Sequence, residues 1–83
     1  METIIVEINI AASNENTEFI LPAHVKIEAL LPAIVRLVEQ THQELHYQLD
    51  NTVLCDSGSQ RILPSSITLA QAGIRQGNRL MLV

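Results

Sequence analysis

The chain has 83 residues, enough for one small domain spanning 1–83 and no second. Hydrophobic residues make up 47%, almost all aliphatic, since Phe19 and Tyr47 are the only aromatics, and the net charge is -4. Scattered Lys and Arg without stacking aromatics argue against nucleic acid or anionic lipid as direct partners, and a lone cysteine, Cys55, excludes an internal disulfide and suits a reducing compartment.

The opening METIIVEINI carries acid where a signal peptide carries basic residues, and no apolar run reaches spanning length. The expectation is a cytoplasmic protein that reaches a membrane only through a partner. Residues 3–11 alternate: Ile4, Val6, Ile8 and Ile10 point one way, Ile5, Glu7, Asn9 and Ala11 the other. Period two with β-branched residues predicts a strand with one buried face. A polar connection, Ala12 to Asn16, leads to a second alternating run, Thr17 to Leu21, with Phe19 and Leu21 on the core side. Together they read as a hairpin.

Pro22, which has no N–H for a ladder, closes that strand. The period then changes. Ile27, Leu30, Leu31, Ile34, Val35 and Val38 form one helical stripe, predicting a helix from about Lys26 to Gln40. Pro32, inside it, predicts a late start or a slight bend. Beyond a polar link, Leu45 to Leu49 alternates like a short strand, Asn51 to Leu54 offers another, and Asp56 to Ser59 reads as a loop. Arg61 to Leu63 fits a short edge strand, and Ile67 to Gly73 a turn or brief helix. Gln76 to Asn78 is a further turn, and Arg79 to Val83 a closing strand. One amphipathic helix needs one sheet to cover it. The order predicts an α+β β-grasp: a mixed sheet of four to five strands packed on one helix.

Two segments carry a resemblance. Thr68 to Val83, TLAQAGIRQGNRLMLV, resembles the end of ubiquitin-like domains, with a short turn to an Ile, a Gly-containing turn and a last strand. Phe19 to Val38, FILPAHVKIEALLPAIVRLV, is similar to the YukD/EsaB family of type VII secretion systems, and to the cytosolic ubiquitin-like domain of EccD. The shared pieces are a strand ending Leu-Pro-Ala, an Ile-x-x-Leu-Leu helix start, and the closing turn Gly73 to Asn78. The resemblance implies a non-catalytic accessory or regulatory component that binds proteins. It leaves open a domain excised from a larger membrane subunit, and a modifier or sulfur carrier whose Gly-Gly tail is missing. Against conjugation stand the ending Arg79 to Val83, which reads as a strand, and the single lysine, Lys26.

Chemistry-bearing residues are few. His42 and His46 have ligand spacing only if the helix continues, and with His24 and Cys55 they are read as solvated or structural residues, not a zinc set. Cys55 has Asp56 beside it, which opposes a thiolate. No catalytic residue, metal or cofactor is expected. The outward positions Ile5, Ile20, Met81 and Val83 are expected to form an apolar strip on the sheet face away from the helix, flanked by His46 and Gln48. Such a strip predicts a protein partner, or a homodimer contact. The resemblance carries recognition onto Met81 and Val83. The outer helix face, Ala29, Pro32, Ala33, Arg36 and Gln40, ranks second.

Overall fold

The computed structural model describes residues 2–83. Strand β1 (Thr3–Ile10) pairs antiparallel with β2 (Glu15–Pro22), Ile5 lying opposite Ile20 and Glu7 opposite Glu18. Asn14 closes the connection in the left-handed conformation, φ 55°, which asparagine tolerates better than most residues. Helix α1 (Ile27–Thr41) follows, then a 3₁₀ turn (Leu49–Asn51), β3 (Leu54–Asp56), β4 (Arg61–Ile62) and β5 (Arg79–Leu82). The sheet order is β2-β1-β5-β3-β4, with β1 and β5 parallel and the remaining pairs antiparallel. One helix on a mixed five-stranded sheet is the expected β-grasp.

The inward residues of β1, Ile4, Val6, Ile8 and Ile10, are all buried. They meet the helix stripe Ile27, Leu30, Leu31, Ile34 and Val38, and Leu54, Leu80 and Leu82 extend the same core across the sheet. The helix starts without a side-chain cap at Lys26. Its first amides are instead accepted by loop carbonyls: Ile27 N–H by Ile67 at 2.9 Å and Glu28 N–H by Ser65 at 2.9 Å. A helix end needs such acceptors, so the 65–68 loop serves as the cap. Pro32 lies on the exposed face and the helix runs through it from Ile27, so the late start does not occur. Residues 68–73 form turns: Thr68 and Gln71 exchange side-chain and backbone hydrogen bonds, and Gly73 takes φ +80°.

The strand expected at Leu45 to Leu49 is absent. Its alternation is real as burial, with Leu45 and Tyr47 packed on the core and His46 and Gln48 exposed. Its hydrogen bonds go elsewhere. Leu45 N–H is accepted by the His42 carbonyl, Tyr47 N–H by the Glu39 carboxylate at 2.9 Å, and Gln48 O accepts from Asn51 N–H and Thr52 Oγ1. Local bonds have replaced a ladder. The next strand accordingly begins at Leu54, not Asn51.

Candidate protein-binding surfaces

The outer sheet face is built in rows set by the strand register. Ile5 and Ile20 face one another across β1 and β2, and Ile20 is 70% exposed. The next row is Glu18–Glu7–Arg79, in which Arg79 Nε lies 3.5 Å from Glu7 Oε1. The row after that crosses the whole sheet as Asn16, Asn9, Met81, Cys55 and Ile62. Val83 and Val53 end the face, joined by reciprocal backbone hydrogen bonds of 3.0 and 3.2 Å.

Ile5, Ile20, Met81 and Val83 therefore share the face away from the helix, but they do not form one strip. The Met81 row lies two row spacings, about 13 Å of strand, from Ile5, and the one row between them is charged. Met81 and Val83 belong instead to a second apolar cluster with Cys55, Val53 and Ile62, of which Ile62 is 64% and Val83 52% exposed. A shallow hollow of about 300 Å³ lies at its margin, bordered by Cys55 and Met81 on one side and by the polar Asp56, Ser57 and Gln60 on the other. Ile62 and Cys55 were not singled out as surface residues from the sequence, although Ile62, in an edge strand before a proline, was the available signal. His46 and Gln48 are exposed on the coil after α1. With no strand there, no ladder places them beside Met81 or Val83.

The histidines do not converge. His24 Nε2 meets Glu2 Oε1 at 2.6 Å, while His42 Nε2 meets Glu15 Oε2 at 3.0 Å. Thr41 Oγ1 and the Val38 carbonyl hold the other ring nitrogen of His42, so the ring ties the end of α1 to the start of β2. The hydrogen bond to Glu15 raises the pKa of His42, against a smaller desolvation effect. Among the described residues no group of three or more His, Cys, Asp and Glu could hold a metal ion. Cys55 is half-buried, and the neighbouring Asp56 carboxylate is engaged by Gly58 N–H at 3.1 Å and Ser59 Oγ at 2.9 Å. The solvent side of α1 carries one further large apolar residue outside the buried stripe, Leu37, 51% exposed.

Among the described residues no helix is long and apolar enough to cross a membrane. No curated protein sequence matches the chain. Among solved structures it is similar to the EccD5 ubiquitin-like domain from Mycobacterium xenopi, with a TM-score of 0.84 at 19% identity, covering 100% of this chain and 94% of that one. It is also similar to the ubiquitin-like domain of the Mycobacterium tuberculosis type VII secretion protein EccD1, with a TM-score of 0.76 at 23% identity, covering 100% and 99%. A chain of the MycP5-free ESX-5 inner membrane complex matches at 15% identity and a TM-score of 0.83, covering 100% of this chain but 21% of that one. These likenesses establish a ubiquitin-like fold. A family model, YukD of the WXG100 protein secretion system, matches residues 5–82. Nearly the whole described sheet and helix fall within that match, and the chain belongs to the YukD family.

Proposed function

We propose that this chain is a non-catalytic docking module of a type VII-like secretion apparatus, acting as an accessory or regulatory component on the cytoplasmic side. It binds a machinery component non-covalently through the outer face of β5, β3 and β4. The observation that carries the reading is the apolar cluster of Met81, Val83, Cys55 and Ile62. Exposed aliphatics grouped on one sheet face mark an interaction site more often than isolated ones do. Membership of a secretion family and the occurrence of a similar domain in an inner membrane complex supply the class of partner.

That same complex favours a second reading, in which the domain works as part of a longer membrane subunit, since the matched region is 21% of its chain there. Affinity capture of the tagged chain from its own cells, run natively and after denaturation, tests the proposal. Secretion subunits that are recovered natively and vanish on denaturation are the expected result. A covalent adduct that survives denaturation would return the chain to the conjugated modifiers and overturn it.

A further inference from the structure

A different surface lies along β2. It is an edge strand, and the phase of its hydrogen bonds can be fixed. Ala23 N–H is accepted by the Glu2 carbonyl, one step beyond the Thr3–Pro22 pair, so the even residues of β1 bond the odd residues of β2. The other side of β1 agrees: Glu7 N–H is accepted by Asn78 and Gly77 N–H by Ile5, so its odd residues bond toward β5. The N–H and C=O groups of Asn16, Glu18 and Ile20 therefore point out of the sheet's free edge. Pro22 ends this edge, having no N–H to offer.

Beside the edge runs a groove of about 690 Å³ between β2 and α1, floored by Phe19 and Ile34 and lipped by Ala33, Leu37 and Ile20. Of the residues that line it, Glu18 alone carries a formal charge. Glu18 makes no ion pair among the described residues and stands directly opposite Glu7, an unfavourable cross-strand pairing. Glu15, by contrast, has His42.

We propose that this edge and groove take an extended peptide segment of alternating aliphatic and basic residues as a sixth strand. Its backbone pairs with Asn16, Glu18 and Ile20. Its aliphatic side chains, pointing to the helix side, fill the groove against Leu37 and Ala33, and a Lys or Arg on the other side meets Glu18. Strand addition of this kind draws affinity from main-chain bonds and specificity from alternate side chains. A second copy of this chain is disfavoured, because pairing two β2 edges about their centre sets Glu18 against Glu18, the kind of charge that blunts edges.

The test is amide hydrogen exchange by NMR on the full chain, with a synthetic nonapeptide alternating valine and lysine, and a control with glutamate in place of lysine. The valine–lysine peptide is expected to slow exchange at Asn16, Glu18 and Ile20 about tenfold or more, and to leave Thr17, Phe19 and Leu21, already bonded to β1, unchanged. Leu37→Asp, at an exposed position, should remove that protection without unfolding the chain. Glu18→Lys should reverse the preference between the two peptides. Fast exchange at all three amides with either peptide, or equal protection by both, would overturn the proposal. Protection that rises with protein concentration in the absence of peptide would overturn it in favour of a second copy.

Discussion

Tyr47 illustrates how a residue can follow its pattern without its element. The ring packs against the core, while its hydroxyl oxygen is buried with no partner among the described residues, and burial, followed by the nearby Glu39 charge, raises the phenol pKa. An unpaired buried hydroxyl contributes nothing to stability, so Tyr47→Phe should leave the urea midpoint unchanged or raise stability by up to about 1 kcal/mol. A clear loss would show that the hydroxyl is bonded in solution. His42 makes a pH-dependent clamp. Its pKa is raised in the fold by Glu15, so the contribution is complete below the unfolded value of about 6.5 and is lost as pH rises through the folded value. The Tm difference between wild type and His42→Gln should therefore be largest below about pH 6.5 and shrink as pH rises above it. Glu15→Gln should abolish the same pH dependence. Neither role was legible in the sequence, because the partners Glu15 and Glu39 are brought in by packing and not by spacing alone.

At the scale of elements, the periodic segments were readable and the short ones were not. The β1 alternation and the α1 stripe are long enough for burial on one face to dictate conformation, and both elements appear within a residue or two of expectation. Leu45 to Leu49 shows the same alternation over too few residues, and local acceptors at His42 and Glu39 and local donors at Asn51 and Thr52 captured its backbone. Pro32 tested propensity against packing. The stripe Ile27, Leu31, Ile34 and Val38 carries the helix through it, and because Pro32 is exposed, the Glu28 carbonyl left without its helical donor lies on the solvent side. Pro32→Ala should restore that bond and stabilise the domain by about 1–2 kcal/mol, less than the full helix penalty because proline also restricts the unfolded chain. Differential scanning calorimetry should show a Tm several degrees higher. An unchanged or lower Tm would mean that proline's restriction of the unfolded chain outweighs the missing bond.

For the molecule as a whole, the identity of the outward residues was legible and their grouping was not. Alternation puts Ile5, Ile20, Met81 and Val83 on one face, but which of them are neighbours depends on the parallel register of β1 and β5, in which Met81 lies beside Asn9 and not Ile5. That register divides the face into an Ile5–Ile20 pair and a larger cluster completed by Cys55 and Ile62, with Glu7, Glu18 and Arg79 between them. The central claim, docking through the larger cluster, is tested most directly by measuring recovery of native secretion subunits with two double variants, each first shown to melt cooperatively. Ile62→Glu with Met81→Glu should reduce recovery about tenfold or more, as burying a charge in the centre of an interface does, while Thr3→Glu with Ile5→Glu, on the outer face but away from this cluster, should leave it near wild type. Wild-type recovery by the Ile62/Met81 variant would contradict the assignment of this face.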